Sequence, residues 1–519
     1  MDIIGLPSNF ATLDWVIVVV YLAASLAVGI FANRFIHSIS AYLVGGRASG
    51  TSLNVATYIG TGLGLVTLMY AAIDGFSHGF AYVTLAPIGF FTGVVLGTTG
   101  IVISPLRKLK LLTIPEYFER RFNRRTRVVG GVICAVAGIL NMGLFPKMGA
   151  VFITYATGLH LHGDQELLVN LITSVLIIMV LVYTTLGGMV SVIITDYVQF
   201  VVLSFGMGLG VYFCLVHPEL GWDTMLNALS EHRGERMFNP VAEGGYGWMW
   251  IAFNLLVFFV AGFCWAPEAS RALTARNPKS ARLTFLLASP AQFVRVGIPA
   301  LWAVAAFTLV SKSPELTGYF FPEGFAGPAS HAAEAMPMAL GAIVPTGLLG
   351  ILVAGLMAAF MSTHDSYLLC WSSVIARDVI SPLRGGSLTG KQEIRATRIG
   401  VVAIGIFLLV WGIWYELPES VWTYMAVSGA VYTSGAGIVL LGGLYWKRAS
   451  SAGALAALLT GLVALFGLFL DPVNAGLSEL FNREVSISGH ALGFATFFLC
   501  AIVFVVVSLL RPDKKEDSP

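Results

Sequence analysis

Five polar side chains interrupt an otherwise apolar run in the stretch AAFMSTHDS, residues 358–366. Ser362, Thr363, His364, Asp365 and Ser366 follow one another inside residues 348–375, a run long enough to cross a membrane. On a 3.6-residue helix, Ala359, Ser362, Thr363 and Ser366 stand at i, i+3, i+4 and i+7 and share one face. Asp365 lies on the flank beside Ser362, and His364 points to the opposite side. The shared face offers hydroxyl oxygens one turn from a small residue with an accessible carbonyl, and hard cations such as Na⁺ prefer oxygen ligands. Further oxygens would come from an unwound helix, whose carbonyls are released from i to i−4 bonds. The glycine-rich IGTGLG at residues 59–64 is the obvious supplier. Ser and Thr in membrane helices also bond back to their own helix. An ionisable group at this depth, however, costs roughly 2.5–3.5 kcal/mol, so the whole cluster points to a pathway or a binding site.

A second polar island is YTTLGGMVSVIITDYVQF, residues 183–200, where Gly187 and Gly188 make a tight turn and Asp196 sits about two helical turns into the next span. Asp196 reads as a Na⁺ ligand, a proton carrier or half of an ion pair with a basic residue. Lys147, in FPKMGAVF, is expected to pair with an acid such as Asp74 or Asp365, or to meet an anionic substrate; Arg295 is expected to be paired. Tyr58, Trp248, Phe259 and Phe263 are candidate lining for a solute, and so aromatic a set argues against a sugar. The cysteines all lie in apolar spans without metal or redox spacing and read as packing residues. No nucleophile and base pair, phosphate loop or metal motif supports an enzyme.

The elements that must position these groups are membrane helices. Hydrophobic residues make up 57% of the chain and charged residues 11%, against about 25% charged in ordinary soluble domains. Thirteen apolar spans are expected, near residues 13–33, 51–76, 80–103, 128–157, 167–186, 189–216, 248–268, 283–310, 348–375, 399–414, 419–446, 452–470 and 491–510. The first carries no basic residue before it and no small-residue cleavage site, so it is expected to stay as a helix. With the N-terminus outside, 24 of the 30 basic residues fall on inward loops and the C-terminal tail, as the positive-inside rule requires. No hydrophilic stretch is long enough for a separate domain, so residues 1–519 read as one membrane domain. Two spans look broken: YIGTGLGLVT at 58–67 and AGFCWAPEAS at 261–270. Four spans lie between them, which makes them the first members of two successive five-helix sets, the pattern of an inverted-repeat transporter.

Several motifs in order strengthen this reading: GGR (45–47), LTIPEYFERRF (112–122), YTTLGGMVSVIITDYVQ (183–199) and AAFMSTHDS. Together they resemble the sodium:solute symporter family, the group of the bacterial proline and pantothenate symporters. The resemblance covers nearly the whole chain. It implies an all-α polytopic protein of the LeuT-like fold, with inverted repeats at 51–216 and 248–446, extra helices at 13–33 and 452–510, and alternating access. It places the family's main sodium site on the carbonyls of Gly60, Leu63 and Ala359 and the hydroxyls of Ser362 and Thr363. A second cation or proton site would fall on Asp196, Ser362, Asp365 and Ser366, with Asp365 where some sodium-binding members have Ser. Tyr183 corresponds to a substrate-binding tyrosine. In CWAPEASRAL (264–273) Ala266 replaces the family's Gln, and the spacing to Arg271 is shorter.

The expected function is Na⁺-driven uptake of a small organic solute across the cell membrane, with an amino acid or small carboxylate favoured and Lys147 as the anion partner. Na⁺ is the coupling ion; no organic cofactor, nucleic acid or obligate protein partner is expected besides the solute and the lipid bilayer. The alternatives are a proton-coupled carrier relaying through Asp196 and Asp365, and a transporter-like ligand sensor.

Overall fold

The computed structural model describes residues 5–32, 39–385, 388–418 and 420–513, and within these a few side chains, that of Tyr183 among them, lie outside the description. The described chain is helical throughout, apart from one isolated bridge between Ser49 and Ala275. Among the described residues, eleven helical segments are long and apolar enough to cross a membrane, and two shorter apolar helices accompany them, Thr12–Val28 and Ala332–Ile343. This differs from the expected thirteen for two reasons. The first expected span enters only as the apolar stretch Thr12–Val28, although its helix continues to Ala32, and the second expected span is broken, its latter half running on into the third as Leu65–Thr99.

Both expected interruptions are present. Helix α2, after the N-terminal α1 (Thr12–Ala32), covers Thr51–Gly62 and stops at Leu63; the chain resumes as α3, Leu65–His78. Later, α5 (Gly247–Cys264) ends at Trp265, whose extended backbone (φ −65°, ψ 120°) turns directly into α6, Ala266–Thr274. Pro267 sits in the first turn of α6, where its missing N–H costs nothing. Between them runs α4, Gln165–Val216, two helices joined at Gly188, whose φ of 58° suits glycine and where a Cβ would meet the ring of Tyr42.

The helix that carries AAFMSTHDS is α8, Leu348–Val374, preceded by α7, Ala291–Ser311. Nearly every residue of α8 is buried, which is why it has no polar face. Peripheral helices such as Gly489–Leu510 instead expose Phe498, Ile502 and Leu509, a lipid-facing surface. The buried helix begins under α1: Asp14, fully buried, accepts the backbone N–H groups of Gly347 at 2.7 Å and Gly350 at 2.6 Å. A carboxylate there satisfies orphan donors at a helix N-terminus. Beyond the far end of α8, Asp378 accepts from Arg127 Nε at 2.8 Å and Thr113 Oγ1 at 2.9 Å, which ties this end to the LTIPEYFERRF segment. The free cysteines are buried or nearly so among apolar neighbours.

Candidate functional site

Where α2 stops, the carbonyls of its last turn lose their intrahelical donors. Hydroxyls from α8 take them. Ser362 Oγ donates to Gly60 O at 3.1 Å and Thr363 Oγ1 to Thr61 O at 3.3 Å. Each hydroxyl also lies within reach of Ala359 O, at 3.2 and 3.1 Å. Three carbonyl oxygens and two hydroxyls thus meet in a buried knot that contains no charge. Leu63 forms the break itself (φ −91°, ψ 44°). Gly64 must be a glycine, because a Cβ there would collide with the Thr363 hydroxyl. Of the five residues expected at this site, Gly60, Ala359, Ser362 and Thr363 come together; Leu63 lies at the adjoining break, and Thr61 supplies a carbonyl that sequence reading did not name.

One turn along α8 the arrangement changes sign. Arg271 of α6, 1% exposed, inserts its guanidinium between α2, α4 and α8. Its Nη2 donates to Thr61 Oγ1 at 2.5 Å, Ser366 Oγ at 2.8 Å and Asp196 Oδ2 at 3.3 Å. Asp196 is fully buried, so this is an ion pair inside the bundle. Asp196 and Ser366 are therefore brought together, by a basic side chain. Asp365, also fully buried, is not among the partners of Arg271; it lies near enough to Tyr21 of α1 to act on it electrostatically.

A central cavity opens beside the knot, and Thr61, Gly62 and Thr363 line it. Its other walls include Tyr58, Phe258, Trp265, Glu268, Arg295 and Trp422. Of the candidate solute-lining aromatics, Tyr58 borders the cavity, but Phe259 and Phe263 are not among the lining residues. From α5 the cavity takes Val257, Phe258, Ala261 and Gly262, and from the break Trp265; Phe258, Ala261, Gly262 and Trp265 form an i, i+3, i+4, i+7 set. Phe259 and Phe263 stand one position round from that face and pack edge to face with each other, ring centroids 5.6 Å apart. Trp248 is 73% exposed at the start of α5. Lys147 neither lines the cavity nor meets Asp74 or Asp365; its Nζ donates to Tyr415 O at 2.8 Å. Asp74 accepts instead from Tyr246 OH at 2.9 Å. The Tyr183 side chain lies outside the described residues.

The sequence gives Arg271 as a motif residue without a role, leaves Glu268 unassigned, and treats Arg295 as one half of an ordinary pair. The signal was present in CWAPEASRAL, which puts an acid and a guanidinium one turn apart just after a helix break. Arg295 donates to Tyr70 OH at 2.9 Å and lies over the ring of Phe258.

Two broken helices meeting at a central cavity, in a bundle whose outer helices expose apolar side chains, define a multi-pass integral membrane transporter. The chain belongs to the sodium:solute symporter family, whose model matches residues 42–461. It is 24% identical over 478 residues to a sodium/sialic acid symporter of Proteus mirabilis, covering 88% of this chain and 89% of that one. It is also 24% identical over 528 residues to a sodium/proline symporter of Haemophilus influenzae, covering 96% and 94%. Among solved structures, a Na⁺-coupled sialic acid symporter in a substrate-bound outward-open state superposes with a TM-score of 0.76 at 19% identity, covering 98% of this chain and all of that one.

Proposed function

We propose that this protein couples inward movement of Na⁺ to uptake of a small organic solute, an amino acid or small carboxylate, held in the central cavity. Na⁺ is bound by the carbonyls of Gly60, Leu63 and Ala359 and the hydroxyls of Ser362 and Thr363, with Thr61 O adjoining. The observation that carries this reading is the double position of Thr363, which belongs to the oxygen knot and also lines the cavity. Ion and solute then share a wall made by a broken helix and α8, so binding of one organises the site of the other. Each Na⁺ that enters draws about 2.3 kcal/mol from every 100 mV of membrane potential.

The group Asp196, Asp365 and Ser366 supports a second cation or a proton less well. A guanidinium already sits on Asp196 and Ser366, and an incoming ion would have to displace it. One Na⁺ per cycle is the stoichiometry this arrangement favours. The two breaks, at Leu63–Gly64 and at Trp265, support repeats at 51–216 and 248–446 flanked by extra helices at 13–33 and 452–510. The distribution of basic residues supports an external N-terminus and an internal C-terminus.

The test is the melting temperature of the purified protein in Na⁺ against K⁺ at equal ionic strength, since a ligand of the folded state raises it. A Na⁺-specific rise, enlarged by amino acids or carboxylates, is the expected result. No response to Na⁺ at any pH, with a shift on acidification instead, would replace this reading with a proton-coupled carrier.

A further inference from the structure

The central cavity is mostly aromatic and apolar, yet two ionisable side chains of opposite sign enter it. Glu268 comes from the first turn of α6 and Arg295 from the first turns of α7. Both also line a small extension beneath Tyr58, Gly62 and Leu63, together with Gln292. They are close enough to act on one another electrostatically, but they do not close into an ion pair within 4 Å among the described residues. Arg295 is steadied by Tyr70 OH and the Phe258 ring. Among the described residues, Glu268 Oε2 is buried with no hydrogen-bond partner, and so is Gln292 Oε1.

A buried carboxylate oxygen without a donor is costly, and one beside a cavity identifies what the cavity is missing. Here the missing group is a positively charged N–H donor. The guanidinium on the same lumen is a planar fork suited to a carboxylate. We propose that the solute is a zwitterion, an amino acid whose ammonium group is held by Glu268 and whose carboxylate is held by Arg295. The proposal rests on the reading of this cavity as the solute site, and it chooses between the two solute classes given above. A simple carboxylate would leave Glu268 unmatched and repelled. A quaternary ammonium would bring charge but no N–H for Oε2. A sugar would match neither charge.

The experiment is a thermal-shift titration of the full-length protein in Na⁺, first with the standard amino acids. Matched trios follow, such as leucine against 4-methylpentanoate and 3-methylbutylamine, and the corresponding sets for phenylalanine and proline. At least one amino acid is expected to stabilise the protein, with its deaminated and decarboxylated partners binding roughly tenfold more weakly or worse, the scale of one lost charge-assisted hydrogen bond. Glu268→Gln should narrow the gap between amino acid and carboxylic acid, and Arg295→Gln the gap between amino acid and amine. The wild-type trio decides without the variants. A carboxylic acid that stabilises as well as its amino acid, or no response to any amino acid, overturns the proposal. An amino acid response that needs no Na⁺ would uphold it and overturn the coupling ion instead.

Discussion

Ser362 and Ser366 stand one turn apart on the same buried helix, yet they belong to opposite kinds of polar cluster. Around Ser362 the oxygens are neutral: carbonyls of Gly60, Thr61 and Ala359 with two hydroxyls. Around Ser366 there is a full carboxylate on Asp196, and a full guanidinium covers it. Neutral dipoles attract a cation without fixing it, so the ion can enter and leave. A carboxylate in the same low-dielectric setting holds a cation far more strongly, and here that cation is tethered to the chain. On the proposed reading, reversible binding and permanent fastening are built from similar parts, distinguished by one buried charge.

The largest effect should come from emptying the neutral cluster. Ser362→Ala with Thr363→Ala is expected to abolish the Na⁺-dependent rise in melting temperature, and Na⁺-driven uptake with it. A double variant that responds to Na⁺ like the wild type would remove these hydroxyls from the ion pathway.

Next in size is removal of the tethered cation. Arg271→Gln leaves Asp196 buried and uncompensated, a loss on the order of 3–5 kcal/mol, visible as a large fall in melting temperature. Adding Asp196→Asn should restore most of it. If Arg271→Gln is instead well folded and shows steeper, more cooperative Na⁺ dependence, the charged cluster is a masked ion site and the contrast fails.

Thr61 separates the clusters more finely, because its carbonyl serves one and its hydroxyl the other. Thr61→Val keeps the carbonyl and deletes a hydrogen bond to a charged group. It should cost about 1.5–3 kcal/mol while the Na⁺-dependent shift survives; a lost Na⁺ response would mean that the two clusters work as one.

The smallest effect belongs to a pair remote from both. His331 is held above its ordinary pKa by its hydrogen bond with Glu334, against the opposing effect of burial. Such a raised pKa contributes stability that is complete below the unfolded value, near 6.5, and is lost as pH rises through the folded one. With the His331 side chain 51% exposed, the change should stay within about 0.5 kcal/mol. His331→Gln should flatten that small slope in a pH series of melting temperatures and leave the Na⁺ shift untouched.

The neutral cluster was legible because hydroxyls on one face of an otherwise apolar helix are an anomaly, and because clustered glycines mark a break. The cavity was less so. Helix α5 is apolar all round, so nothing in its periodicity says whether Phe258 or Phe259 faces inward; packing against helices Leu85–Thr99 and Val421–Tyr445 decides it. Lys147 was misplaced for another reason. Its partner is the backbone carbonyl of Tyr415, and a carbonyl leaves no trace in a sequence. Arg271 and Glu268 were visible as letters, but which of the two would be sealed by partners and which left facing the cavity depends on side chains contributed by α2, α4 and α8.

The contact between Asp14 and the start of α8 joins residues 333 and 336 positions apart. During synthesis the acid emerges long before the amides that it caps. The first helix therefore has to wait in the bilayer with a carboxyl group near its N-terminal end, protonated or hydrated, until most of the transporter has been made. Docking of α8 ends that wait, so the step that seats the most buried helix of the bundle also anchors the start of the chain. An inserted but unfinished protein would be recognisable to the cell's quality control by this one unsheathed acid.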